Sequence, residues 1–178
     1  AALGATLCRI LEFTGHEVVR EFYINDAGLQ VRLLGASVYS RWKQLSDPGY
    51  PFPENGYHAE YIGDLAREIS GQVDLGTLSP EEAIARCAQF SKTRMLDDIQ
   101  TDLSEFRVAF DVWSSESALY ASGLIDKTLE ALREKGELYE EEGALWIKTS
   151  AFGDDKDRVL RKSDGQYTYF APDIAYHI

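Results

Sequence analysis

Ser79-Pro80-Glu81-Glu82 is the strongest local instruction in this chain. A serine at the cap, a proline at the first helical position and acids in the first turn together start a helix. Ala83, Ala88, Phe90, Met95, Leu96 and Ile99 follow on or near one face, so the spacing predicts a helix running to about Leu103. The centre of the chain is therefore mostly helical, and strands belong to its flanks.

On the N-terminal flank, Leu3, Leu7, Ile10, Leu11 and Phe13 recur at helical spacing, and Gly15 stops the helix. The β-branched and aromatic run from Glu17 to Ile24 predicts a strand. Helix, glycine turn and strand in that order suggest part of an α/β unit with a parallel sheet. Asn25-Asp26-Ala27-Gly28 then reads as a turn whose Asn and Asp side chains cap a helix from about Ala27 to Leu45. The proline-rich stretch from Asp47 to Gly56 is an expected exposed loop, and Tyr57 to Ser70 a short helix.

Beyond the central helix, Phe106 to Val112 is predicted as a second strand and Ser115 to Lys135 as one helix. Short strands follow at Leu138 to Glu140, Ala144 to Lys148, Arg158 to Lys162 and Tyr167 to Phe170. Glu142-Gly143 and Asp164-Gly165 sit between them as hairpin signals. Tyr167 and Tyr169 alternate, which by default places them on one sheet face.

The chain has 178 residues and a formal net charge of -12. Nucleic-acid affinity comes largely from Lys and Arg neutralising phosphates, so this balance disfavours a stand-alone RNA-binding module. No apolar run approaches the roughly 18 residues of a membrane span, and no leader is visible, so a soluble, cytoplasmic protein with no membrane partner is expected. Cys8 and Cys87 read as idle thiols of a reducing compartment, and His16, His58 and His177 lie too far apart for a zinc site. Walker, dinucleotide, Gly-x-Ser-x-Gly and zinc-helix signatures are absent. Asp154, Asp155 and Asp157 lack the offsets of a calcium loop and read as a salt-bridged turn with Lys156 and Arg158, leaving no expected metal ligand.

Three stretches together resemble the arginyl-tRNA synthetases of bacteria. Leu3 to Leu11 followed by Glu21-Phe22-Tyr23-Ile24-Asn25-Asp26-Ala27-Gly28 is similar to the helix of the family's His-x-Gly-His signature and the strand after it. Phe110 to Ser117, with Gly143-Ala144-Leu145-Trp146, is the second. Phe152 to Leu160, Lys162 to Gly165 and Tyr167 to His177 form the third. The resemblance covers nearly the whole chain and implies an α/β fold: part of a class I synthetase nucleotide-binding, Rossmann-like catalytic domain, with a largely helical connective insertion and short antiparallel strands. It divides the chain into a first part of the catalytic domain at 1–46, the insertion and return strands at 47–162, and an arginine-pocket strand with the next helix at 163–178.

The resemblance further implies an arginine-tRNA ligase, which joins ATP to L-arginine and passes the arginyl group to tRNA-Arg. ATP enters as a substrate, with Mg in the parent enzyme, and no bound cofactor is expected in this chain. Carried over residue by residue, Tyr169 and Asp173 match the arginine-binding pair; a guanidinium suits a carboxylate and an aromatic ring. As a plain structural reading, Asp173 caps a helix after Pro172. Asn25, Asp26, Gly28 and Gln30 match an active-site rim, whereas Trp113, Glu116 and the Gly153 to Leu160 run are assigned to architecture. No catalytic residue is assigned. Ala5 and Ala171 stand where many relatives have Asp and Thr. The chain reads as an internal segment between the two phosphate-holding signatures of the family, inactive by itself. Its open sheet edges predict a homodimer or strand exchange. The alternative is a non-catalytic paralogue that binds arginine or a protein partner.

Overall fold

The helix launched at Ser79 runs through the centre of the chain. In the computed structural model, which describes residues 1–177, α4 extends over Pro80–Glu105. Its start is a complete capping box: the Glu82 amide donates to Ser79 Oγ at 3.3 Å, and the Ser79 amide donates to Glu82 Oε2 at 3.0 Å. Hydrogen bonding from the Ser79 hydroxyl, then from its amide, holds the Glu82 carboxyl below the usual carboxylate range.

The chain divides into two compact units, one of Ala1–Phe22 with Asp26–Trp113, the other of Tyr23–Asn25 with the residues from Ser114 onward. In the first, α1 (Ala2–Phe13), α2 (Gly28–Gln44), α3 (Glu60–Ser70) and α4 carry the structure. Val38, Ile62, Ile69, Leu75 and Cys87 form its fully buried centre. Apolar burial of this kind stabilises by about 25 cal/mol per Å² removed from water. Gly35 lies where α2 meets α4. A Cβ there would stand 2.5 Å from the Ile84 carbonyl oxygen and 2.7 Å from Ala88 Cβ, so only glycine permits the approach. Ala83, Cys87, Ala88 and Ser91 supply small buried side chains on α4. Burial pushes the Cys87 thiol up to about 12, which keeps it protonated and inert.

The proline-rich segment is irregular, as its composition dictates, but it is pinned rather than wholly exposed. Gln44 Nε2 donates to the Tyr50 carbonyl at 2.8 Å, and the Arg41 guanidinium lies 4.6 Å from the Phe52 ring centre. Helix α3 begins at Glu60 instead of Tyr57, and the Tyr57 amide donates to Ser37 Oγ at 2.9 Å. At the start of α2 the cap position belongs to Ala27, which has no acceptor side chain, so the expected Asn25–Asp26 cap is replaced.

Strand β1 (Glu21–Ile24) pairs with β2 (Val112–Ser115); β1 is the second half of the expected strand, and β2 starts where the expected one was to end. Residues 106–108 close α4 instead of forming strand. The Phe106 amide donates to the Asp102 carbonyl at 2.9 Å, Arg107 takes a left-handed φ of 59°, and the Val108 amide reaches the Leu103 carbonyl at 2.8 Å. Phe22 stacks on Trp113 with ring centres 4.8 Å apart and meets Phe110 edge-on.

In the second unit the predicted single helix is two, α5 (Glu116–Ala121) and α6 (Leu124–Glu134), separated by Gly123 at φ 68°. Strands β3 (Leu138–Glu141), β4 (Ala144–Ile147) and β5 (Arg158–Arg161) form an antiparallel sheet in that order. Glu142 and Gly143, at φ 51° and 76°, make the two-residue hairpin turn the sequence signalled. The expected strand from Tyr167 to Phe170 shrinks to one bridge, Tyr167 opposite Arg161. Thr168 spends its amide on the Leu160 carbonyl (2.9 Å) and its hydroxyl on the Val159 carbonyl, and Tyr169 is already in helical conformation. Helix α7 (Phe170–Tyr176) follows and buries Ala171, Pro172 and Ala175; Ala171 and Ala175 pack into a cluster with Leu145 and Leu160. Tyr167 and Tyr169 therefore do not share a sheet face.

Candidate functional site

The start of α7 holds the matched pair. Tyr169 occupies the cap position, and the Asp173 amide donates to its carbonyl at 3.2 Å, which sets the two residues one helical turn apart. Asp173 is thus not the cap; it lies exposed in the first turn. Tyr169 is 70% exposed, and its ring meets that of Phe170 edge-on with centres 5.5 Å apart.

Helix α5 packs against α7 and carries Glu116 one helical turn before Tyr120. The Tyr120 phenol is raised above its ordinary value, first by desolvation and then by the negative charges of Glu116 and Asp173. Two carboxylates from separate elements therefore bear on one phenol. Tyr120 lies 6.3 Å, ring to ring, from Tyr167, whose hydroxyl donates to Asp126. Carboxylates beside aromatic rings are the chemistry that receives a planar cation. The sequence reading gave Glu116 to architecture and did not single out Tyr120. Their helical i, i+4 spacing was the available signal.

The predicted rim residues fare differently. Asp26 is buried, with Lys92 Nζ 3.1 Å from its Oδ2, a pairing across 66 positions of sequence that turn chemistry could not reveal. Gln30 Oε1 accepts from the Tyr57 hydroxyl. Gly28 is exposed at φ 80°, and Asn25 is exposed in the second unit, the one holding Tyr169 and Asp173. The acidic run after Gly153 is a salt-bridged turn, as expected: Arg158 binds Asp154 through Nε at 2.7 Å and Nη2 at 2.6 Å, and reaches Asp155 at 2.8 Å. Asp157 accepts from the Ser150 amide and hydroxyl and from the Tyr139 hydroxyl. Among the described residues, no three Asp, Glu, His or Cys side chains converge as a metal set. Nor is any helix among them long and apolar enough to cross a membrane.

Residues 57–178 match the family model described as tRNA synthetases class I (R), catalytic domain. The chain belongs to the arginyl-tRNA synthetase catalytic-domain family. It is 49% identical over 179 residues to the arginine–tRNA ligase of Bacillus licheniformis, covering 99% of this chain and 32% of that protein. The arginine–tRNA ligase of Nitratidesulfovibrio vulgaris is also 49% identical, over 181 residues, with the same coverage. A Campylobacter jejuni structure carrying the arginyl-tRNA synthetase name superposes with a TM-score of 0.87 at 37% identity, over 98% of this chain and 38% of that one. Thermus thermophilus arginyl-tRNA synthetase gives a TM-score of 0.67 at 26% identity, over 99% of this chain and 31% of that one. The chain spans about a third of the length of the curated relatives it matches (32%). Its α/β architecture with a short antiparallel sheet is that of arginyl-tRNA synthetase catalytic domains.

Proposed function

We propose that this chain supplies the arginine-recognition part of an arginine–tRNA ligase, and that Tyr169, Asp173 and Glu116 receive the substrate guanidinium. The observation that carries the reading is the start of α7, which sets Asp173 exposed in the first helical turn, one turn from an exposed Tyr169. A guanidinium is a permanent planar cation. It can donate to a carboxylate in a fork while its face lies on an aromatic ring, and the flexible, compact ammonium of lysine can do neither as well.

The whole protein's reaction joins ATP and L-arginine into arginyl-adenylate and then loads tRNA-Arg. In that reaction the residues of this chain bind and orient the amino acid, so that its carboxylate stands ready for the nucleotide. They form no covalent intermediate. ATP is a substrate, and the Mg that accompanies it finds no three-ligand set among the described residues. Asn25 of the second unit belongs to this reading as a rim contact, and Gly28 and Gln30 are proposed as substrate contacts of the first unit, where Lys92 holds Asp26. The division into 1–46, 47–162 and 163–178 belongs to it too, as does a cytoplasmic location, which suits two free thiols.

Calorimetric titration of L-arginine into the chain, with L-lysine as the control, tests the reading. Arginine-selective heat that disappears in Asp173→Ala and falls in Glu116→Gln is the expected result. Equal heats for the two amino acids, or arginine binding untouched by Asp173→Ala, would overturn it. Self-association of the chain is a second element. Leu3, Leu7, Ile10 and Phe13 line α1 at exposures of 86, 55, 55 and 92%. Such an apolar stripe favours pairing with a second copy. Sedimentation showing only monomer at high concentration would sink that element.

A further inference from the structure

Helices α3 and α4 of the first unit leave a groove between them that the proposed arginine reading does not use. Its volume is about 340 Å³. Leu65 and Met95 form its apolar floor; Leu65 belongs to the core of the unit, and Met95 packs against that core. Tyr61 and Ile99 line the same groove and stay 39% and 37% exposed. Large apolar side chains left together at a surface favour a partner that covers them.

Both rims of the groove are acidic. Asp64 and Glu68 stand one turn apart on α3, and Asp98 and Asp102 stand one turn apart on α4. The single cation in the lining is Arg94, and it spans the groove. Its Nε lies 3.4 Å from Glu68 on one rim, and its Nη1 lies 2.7 Å from Asp98 on the other. Asp64 pairs with Arg67 of its own helix. Even with Arg67 counted, the four carboxylates outnumber the guanidinium groups, so the groove keeps a negative balance. It already seats one guanidinium of its own chain between the two rims, which shows the chemistry it takes.

An apolar floor between acidic rims at helical spacing suits one kind of occupant. That occupant is an amphipathic helix with apolar side chains at i, i+3, i+4 and i+7 on the floor and Lys or Arg along its flanks. The same rims repel a phosphate backbone. A second copy of this chain carries a net charge of -12 and is repelled as a whole. We propose that the groove between α3 and α4 docks a basic amphipathic helix of a partner protein.

The probe is a fluorescein-labelled peptide of leucine and lysine patterned as an amphipathic helix, with a scrambled peptide of the same composition as control. Its binding to the full synthetase chain is read by anisotropy at physiological salt. The patterned peptide is expected to bind about tenfold more tightly than the scrambled one. Ile99→Gln, which leaves the charge alone, weakens the patterned peptide about fivefold. Asp102→Lys, at an exposed position on the rim, weakens it about tenfold. Glu130→Lys changes the net charge equally but lies on α6, and it leaves binding within about twofold. Equal binding of the two peptides, or equal losses in Asp102→Lys and Glu130→Lys, would reduce the effect to general charge attraction and overturn the inference. Absence of binding to the full synthetase chain overturns it as well, because the groove is then covered by that chain or does not receive such a helix.

Discussion

The two compact units of this chain reach order by different means. The first is built from long helices whose small residues let backbones approach, as at Gly35 against Ile84 and Ala88. Its polar groups serve the ends of helices, as in the Ser79–Glu82 box. The second has a smaller core around Ile125, Leu129, Leu145 and Leu160, and strands of only four residues. It holds its turns with side-chain bonds: Arg158 to Asp154, Ser150 to Asp157, Thr168 to Val159. Helices satisfy their backbone internally, whereas short strands and turns must borrow partners from side chains. The side chains so borrowed are charged or hydroxylic, and one of them, Thr168, directly precedes the Tyr169 of the proposed arginine site.

The contrast is open to breakage. The largest effect is expected from Gly35→Val, which forces α2 off α4 and costs about 3 kcal/mol in urea unfolding. A cost under about 1 kcal/mol would show that the contact gives way easily. Next come Ile69→Ala and Leu160→Ala, each removing a side chain that is 0% exposed and each expected to cost about 3 kcal/mol. A much smaller cost for Leu160→Ala would mean that the second unit relaxes into its cavity, which sharpens the difference. Ser79→Ala removes the capping box and costs about 1 kcal/mol, read from the same unfolding curves.

The smallest effect is a change of shape with pH. Bonding to Arg158, then to Asp155, holds the Asp154 carboxyl well below the usual carboxylate range. A depressed folded value stabilises fully above the ordinary carboxylate range and is lost as pH falls toward the folded value. Asp154→Asn is therefore expected to flatten the acid limb of a plot of melting temperature against pH. An acid limb that keeps its slope would show that this pair is not what the second unit loses in acid.

Much of the first unit was legible. Ser-Pro-Glu-Glu marked its longest helix because a cap is a local transaction between residues three apart. In the second unit, Glu142-Gly143 marked the hairpin for the same kind of reason, since only left-handed backbone makes that turn. The strand expected at Phe106 to Val112 failed at its start. Its first residues had to close α4, and a β-rich composition says nothing about a neighbour's unpaired carbonyls. The strand expected at Tyr167 to Phe170 failed because Thr168 bonds back to β5 while Ala171 and Ala175 bury in the core. In the proposed site, Tyr169 and Asp173 were nominated by motif, and their spacing of one helical turn came from the structure, because the strand expected there is a helix start. That Glu116 lies on a helix packed against α7 was not written in its local sequence.

The sequence by itself determined the family, the helical centre and the hairpin turn, and it nominated the proposed arginine-pocket pair. Each is written in residues close together along the chain. Only the tertiary structure decided that Asp26 is buried against Lys92, that α5 packs against α7, and that Tyr57 bonds to Gln30. These are meetings of residues far apart in sequence or on separate elements. They exist because apolar burial brings the elements together, and burial is blind to which charges it leaves facing one another.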